Sequence, residues 1–316
     1  MPSVSPVVAS NSKRGTCYDP PPIMSIDIAV VPVAGLGTRL LPATKSQPKE
    51  MLPVGRKPVV QYVCEELTGA GLRRILFITG PGKTSLENHF DINEELVQLL
   101  RESGKEELLT SLEFERAEVQ YFYTRQRKAL GLGHAVLAAR AFVGHEPFVV
   151  ALGDSIIGLN RQSDIVRRMR QVFDDKEAAA VIALEEVPRE EVRHYGIAQP
   201  RQTVDGLVEL ADLVEKPNPA DAPSTLAIAA RYVLSPSIFE ALDATPPGVG
   251  GEIQLTDAIR RLIRQGGRAY GIVLGQDERR FDIGNFDAYF RAFVEFALAD
   301  PKHGPSLRAF VERLVR

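Results

Sequence analysis

Residues 31–53 read VPVAGLGTRLLPATKSQPKEMLP, the end of an apolar run passing into a glycine loop with two cations at fixed offsets. Ala34, Gly35 and Gly37 place no bulky side chain between the backbone N–H groups and an anionic ligand. Arg39 and Lys49 add the positive charge that a polyphosphate requires. Two commoner glycine motifs do not fit. A Rossmann fingerprint needs a third glycine where this chain has Leu40, and a P-loop needs Gly-Lys-Ser/Thr where it has Gly37-Thr38-Arg39. The prolines at 42, 48 and 53 bar a helix directly after the loop, so residues 41–53 are expected to run extended across the top of a sheet.

Working outward, Ile28–Val33 is an apolar run of strand length that meets the loop, as a buried parallel strand does. Pro58 suits the first turn of a helix that closes at Gly69–Gly71. Further strands are expected at 75–79, 119–123, 148–152 and 179–184, with helices at 84–116, 134–142 and 163–173 between them. After Glu185 the strands shorten (196–199, 208–214, 226–234) and alternate with Pro- and Asp-rich turns. Helices at 236–242 and 252–265, a strand at 269–274 and helices at 286–298 and 305–315 complete the pattern. This β–α alternation implies an α/β fold with a doubly wound sheet and helices on both faces. The expected organisation is a flexible leader (1–25, with Met24 a candidate start), a main domain (26–298) and C-terminal helices (286–316). The main domain divides into a first half (26–185) and a second half (186–285) on one continuous sheet.

Composition narrows the class. The chain has 316 residues, 44% hydrophobic and 25% charged, with a net charge of −3. These are the values of a globular protein without the basic footprint of a nucleic-acid binder. Its two cysteines, Cys17 and Cys64, suggest no disulfide framework and fit a reducing cytoplasm. No run is apolar enough for the ~20 residues a membrane helix needs. The five histidines (89, 134, 145, 194, 303) show no zinc spacing and read as loop or cap residues. No GxSxG nucleophile motif is present.

Several polar residues stand where chemistry is done. Asp154 follows the run FVVALG at the carboxyl end of a strand, where open α/β sheets bind ligands and where a carboxylate can hold Mg²⁺. An aspartate that merely caps a turn reads equally well there. Asp282, in RRFDIGN, has apolar neighbours that suggest a tightly placed acid. Gln126 lies in a basic run and, on its own, reads as an exposed loop residue. Glu215 and Lys216, in VEKP, point to opposite faces if extended, and so are not expected to pair with each other.

Taken together, GLGTRLLPATK (35–45), PKEMLP (48–53), QYV (61–63), ENHFD (87–91), GLGHAV (131–136), VEKP (214–217) and GEIQLTDAI (251–259) resemble the bacterial UTP–glucose-1-phosphate uridylyltransferases. These belong to the sugar-phosphate nucleotidylyltransferase superfamily, and the likeness covers about residues 26–297. It implies a mixed, mostly parallel doubly wound sheet of the Rossmann-like nucleotidyltransferase or glycosyltransferase-A type, with a nucleotide-binding half (26–185), a sugar-phosphate-binding half (186–285) and C-terminal helices. It implies transfer of uridylyl from UTP to glucose 1-phosphate, giving UDP-glucose and pyrophosphate, with Mg²⁺ on Asp154 and Asp282. Arg39, Lys49, Asp154 and Lys216 would be catalytic. Ala34, Gly35, Gly37, Thr38, Gln126 and Gly131 would bind the nucleotide, the last two reading the pyrimidine. Gly196, Glu215, Lys216 and Ile228 would line the sugar. Relatives of this kind are commonly homodimers or homotetramers, and Phe290, Phe293, Phe296, Leu307 and Phe310 suit either core or interface. The chain departs from the family pattern at Ala230 (usually glycine), Val33 (usually alanine) and Arg56 (usually aspartate). Use of dTTP or another hexose 1-phosphate, a catalytically inactive nucleotide-sugar-binding regulator and a dehydrogenase are the alternatives.

Overall fold

A computed structural model describes residues 26–116, 118–159 and 162–315. The expected leader, with Met24 and Cys17, lies outside the described residues. In chain order the elements are β1 (Ile28–Pro32), β2 (Pro53–Val54), β3 (Lys57–Pro58), α1 (Val59–Gly69), β4 (Arg74–Thr79), α2 (Thr84–Phe90), α3 (Glu94–Glu102) and β5 (Gln120–Arg125). There follow α4 (Leu132–Leu137), α5 (Arg140–Val143), β6 (Phe148–Ala151), β7 (Ser155–Ile157), α6 (Ile165–Asp175), β8 (Ala180–Glu186), β9 (Gly196–Val204), β10 (Leu207–Glu215) and β11 (Leu226–Leu234). The chain closes with α7 (Ile238–Asp243), α8 (Leu255–Arg264), β12 (Ala269–Val273), β13 (Arg280–Asp282), α9 (Phe286–Ala299) and α10 (Gly304–Leu314).

Nine strands form one sheet in the order β5-β4-β1-β6-β11-β8-β12-β10-β9. Strands β10 and β11 run against the other seven, which gives the mixed α/β sheet read from the sequence, with four of its neighbouring pairs parallel and four antiparallel. Because helices cover both faces, the central strands are apolar on both sides. Ile28 and Val30 enter one core with Val150, Leu184, Leu242 and Ile259. Ala29 and Val31 enter the other with Val149, Leu67, Met169 and Phe173. The outer hairpin β9–β10 does not continue the sheet flatly. Ala227 of β11 pairs with Ile197 of β9, so the hairpin curls back and returns its Gly196–Glu215 end to β11.

A smaller cluster of Leu52, Val54, Val59, Phe281 and Phe296 packs α9 against the β2–β3 turn and β13. Phe281 meets Phe296 edge-on at 5.1 Å between ring centres. Burying the middle residue of β13 turns Arg280 and Asp282 to its other side, because neighbours in a strand alternate. Among the C-terminal aromatics Phe296 is therefore core, whereas Phe290 and Phe310 are exposed.

Two expectations need correction. Residues 41–53 do not run extended: turns fill most of the stretch, with a 3₁₀ turn at Thr38–Leu40 before it and another at Lys49–Met51 within it. Prolines exclude a continuing α-helix, but their fixed φ suits a tight turn equally well. The helical stretch 84–116 is broken into α2, α3 and a 3₁₀ segment (Glu106–Arg116). Asn93 caps α3 by accepting the Leu96 N–H at 3.0 Å, and Gly104 leaves it at φ +66°. No helix among the described residues is long and apolar enough to cross a membrane.

Candidate active site

Two adjoining clefts, of about 740 and 460 Å³, open along the carboxyl ends of the parallel strands. The smaller is lined by Ala34, Gly35, Gly37, Thr38, Gln126, Gly131 and Asp154. The larger is lined by Gly196, Glu215, Lys216, Ile228 and Asp282. Arg39 and Lys49 line both. Every site residue named from the sequence thus borders one cleft or the other.

The glycine loop leaves β1 and is held from below. Gly37 sits at φ +66°, its carbonyl accepts the Thr44 hydroxyl at 2.7 Å, and a Cβ there would press Thr44 at 3.2 Å. The Lys49 ammonium crosses the floor and pairs with the Asp154 carboxylate. Strand β13 pairs with β7 so that Asp282 lies opposite Ser155, and the Ile283 N–H donates to the Asp154 carbonyl at 2.9 Å. Two acids 128 positions apart in the chain become neighbours at the junction of the clefts.

Their electrostatics follow from that placement. Burial would raise the pKa of Asp154, but the Lys49 charge wins and holds it below the ordinary carboxylate range. Burial and the adjacent Asp154 charge together push Asp282 up. Burial would lower Lys49, yet Asp154, Glu50 and Asp282 raise it on balance. Like charges that converge in this way call for cations beside them, and here Lys49 pairs with Asp154 while Arg280 lies 3.7 Å from Asp282. No cluster of three or more His, Cys, Asp or Glu metal ligands occurs among the described residues. Two carboxylates with open positions fit Mg²⁺, which completes its shell with phosphate oxygens and water.

In the smaller cleft, the Gln126 amide nitrogen is within 3.1 Å of the Gly131 carbonyl and 2.9 Å of His134 Nδ1. The donor side of the amide is therefore already engaged. His134, which reads from the sequence as a loop or cap residue, thus holds the Gln126 amide. Gly131 is at φ +95°, and a Cβ there would lie 2.7 Å from Glu252 Cβ, so only glycine fits beneath the 251–254 segment.

In the larger cleft a Cβ on Gly196 would lie 2.8 Å from Ile228 Cδ1 and from Thr256 Oγ1, and 3.2 Å from Glu215 Oε2. The curled hairpin thus brings the proposed sugar residues into contact. Glu215 and Lys216 do not point apart as expected. Lys216 is at φ +45°, its N–H donates to the Tyr195 carbonyl at 3.0 Å, and its ammonium reaches Glu215 at 3.5 Å. The left-handed turn swings the lysine back over the strand end. Sequence reading missed Tyr232, Arg280, Glu252, Gln254 and Thr256, which also line this cleft. Only GEIQLTDAI, quoted as a likeness, carried a signal for the last three.

The three departures have structural settings. Val33 is accommodated because Gly153 leaves the space: a Cβ there would be 2.6 Å from Val33 Cγ1. Arg56 reaches Asp300, beyond α9, at 2.6 Å. Ala230 lines the larger cleft within a bulge of β11, at φ +62°, with its carbonyl accepting the Leu152 N–H at 3.1 Å. A left-handed conformation costs a non-glycine residue roughly 1–2 kcal/mol. Ala230→Gly is expected to leave stability unchanged or raise it by up to about 1 kcal/mol, the larger backbone entropy of glycine offsetting part of the relief. Ala230→Val is expected to lose about 2 kcal/mol or more, since a β-branched residue fits this region worst. Urea unfolding decides; a loss beyond about 1 kcal/mol in the glycine variant would refute the backbone account.

Known proteins resemble this chain over most of its length. The nucleotidyl transferase family model matches residues 28–297. A UTP–glucose-1-phosphate uridylyltransferase of Staphylococcus epidermidis is 40% identical over 287 residues, 90% of this chain and 97% of that protein. A UTP-bound UGPase from Acinetobacter baumannii superposes with a TM-score of 0.83 at 37% identity, covering 92% of this chain and 99% of that one. A UDP-glucose pyrophosphorylase complexed with UDP-glucose does so with a TM-score of 0.77 at 38% identity, covering 85% and 97%.

Proposed function

This chain belongs to the nucleotidyl transferase family, and from that premise we propose that it joins UTP to α-D-glucose 1-phosphate, giving UDP-glucose and pyrophosphate. The observation that carries the reading is the meeting of Asp154, Asp282 and Lys49 where a glycine-lined cleft adjoins one that holds Gly196, Glu215 and Lys216. A phosphate oxygen of the sugar phosphate attacks the α-phosphorus of UTP; that P–O bond forms as the α–β bridging bond breaks, and pyrophosphate leaves. The nucleophile is already an anion at neutral pH, so no side chain needs to remove a proton. What the protein supplies is alignment and charge.

Backbone N–H groups from Ala34 to Thr38, with Arg39, hold the leaving pyrophosphate. Gln126 and Gly131 hold the uracil. Lys216 positions the attacking phosphate, while Glu215, Gly196 and Ile228 seat the hexose. Asp154 and Asp282 would hold Mg²⁺, which when bound supplies positive charge to the reacting phosphates. Lys49 releases Asp154 for that role and turns to the phosphates.

Incubation of the chain with mixed nucleoside triphosphates, hexose 1-phosphates and Mg²⁺, followed by mass spectrometry, is expected to yield UDP-glucose; another product, or none, rejects the reading. Lys216→Ala is expected to raise the KM for glucose 1-phosphate roughly tenfold or more, the loss of one charge-assisted contact, with the KM for UTP changed less than about threefold. Initial rates at varied concentrations of each substrate check it.

A further inference from the structure

We propose that Lys83 is a positioning residue for the nucleotide cleft, setting which way the peptide groups of the glycine loop face. It rests on the reading that this loop holds the phosphates of UTP. Lys83 ends the GPGK segment (80–83) after β4, and neither composition nor the family likeness draws attention to it. Its side chain is 6% exposed, and it does not line the cleft. The ammonium donates to the Gly35 carbonyl at 2.9 Å and to Glu50 Oε2 at 2.8 Å, and the Glu50 side chain is only 1% exposed.

A trans peptide points its N–H opposite to its C=O. Drawing the Gly35 carbonyl down to the buried Lys83 therefore turns the Leu36 N–H to the other side of the loop. In this proposal the Leu36 N–H then faces the cleft, which Ala34 through Arg39 line together with Glu50, the partner of Lys83. The N–H groups of Gly35, Leu36 and Gly37 donate no hydrogen bond to another described residue, which leaves them to a ligand. Were this peptide to flip, a carbonyl oxygen would face the phosphates and repel them.

Glu50 makes the arrangement tenable, because a buried ammonium needs a compensating charge. It also extends it. Glu50 lies in the Lys49–Met51 turn, so the same buried pair fixes the backbone that carries Lys49 to Asp154. One cation thus ties the phosphate loop to the turn that bears the junction lysine.

The test is calorimetric binding of UTP to the whole chain, wild type beside Lys83→Met and Lys83→Arg, with steady-state constants for both substrates. Lys83→Met is expected to weaken UTP binding by about 10²-fold, as a misplaced contact surface does, with the KM for glucose 1-phosphate within about threefold of wild type. Lys83→Arg, which keeps the charge and two donors, is expected to recover at least about tenfold of that loss. If Lys83→Met fails to fold, the arginine variant and Glu50→Gln carry the comparison, and Glu50→Gln is expected to weaken UTP selectively. Equal loss for both substrates, or no rescue by arginine, overturns the proposal and leaves a structural role only. Wild type that binds UTP beside a Lys83→Met variant that binds it equally well overturns this inference alone; wild type that does not bind UTP removes the functional reading as well.

Discussion

Asp154→Ala is expected to reduce pyrophosphate release from UTP and glucose 1-phosphate by at least about 10²–10³-fold, a loss of roughly 3–4 kcal/mol of transition-state stabilisation. The substitution removes one of two carboxylates at the junction of the clefts and strips Lys49 of its partner. Two physical effects then act together. The divalent cation of the proposed site would lose one of its two protein ligands, and Lys49 keeps only Glu50 and Asp282 to balance its charge next to where the phosphates would react. Asp154→Asn preserves volume and hydrogen bonding but not charge, so it is expected to be nearly as inactive while melting within a few degrees of wild type. UTP binding measured without a divalent ion should survive in both variants, because the glycine loop and Arg39 are untouched. Coupled pyrophosphate detection under single-turnover conditions makes the comparison. Turnover within tenfold of wild type in the alanine variant would reject Asp154 as a ligand of the reacting centre.

The second large effect concerns stability. The Arg231 side chain is fully buried, and its guanidinium donates to both Glu66 oxygens at 3.0 and 2.7 Å. It also donates to the Ser155 carbonyl at 2.9 Å and to the Ala230 carbonyl at 3.3 Å. It therefore grips the residue after Asp154 and the bulge that carries Ala230, and ties both to α1. Arg231→Met leaves Glu66 as an unpaired charge in the core, which typically costs about 3–5 kcal/mol. Against a total stability of about 5–15 kcal/mol that is a large share, and a melting temperature roughly 10 °C lower is expected. Replacing both partners with apolar residues, Arg231→Met with Glu66→Leu, should recover most of the stability, since no charge is then stranded. Activity should not recover to the same degree, because the Ser155 carbonyl still lacks its donor and the Asp154 turn is less fixed. Thermal and urea unfolding of the single and double variants supply the check. A double variant as unstable as the single would show that the cost lies in packing and not in the stranded carboxylate.

Some of the site was legible in the chain because its signals are local. A strand run followed by Ala34-Gly35-Leu36-Gly37 reads as a glycine loop open to a ligand, and it lines the smaller cleft, while FVVALG before Asp154 marks the carboxyl end of a strand. The assumption behind Glu215 and Lys216 failed for the opposite reason. Whether they diverge depends on one backbone angle at Lys216, and that angle is set by a hydrogen bond to Tyr195 across the hairpin. The turns within 41–53 were misjudged because proline excludes one helix type without choosing among the remaining conformations.

Arg231 and Glu66 stand 165 positions apart, and Lys83 and Gly35 48 apart. In the linear chain each reads as an isolated charge, Arg231 as an oddity in an apolar strand. Only the folded sheet supplies the partner that turns a costly buried ion into a support for the site. The amino-acid order by itself determined the αβ alternation, the glycine loop after β1 and the acids at strand ends, since these follow from local periodicity and residue chemistry. The tertiary structure decided which acids meet, which way the peptide groups face and how the outer hairpin closes over Gly196. Those outcomes depend on contacts between distant segments, and sequence spacing alone does not encode them.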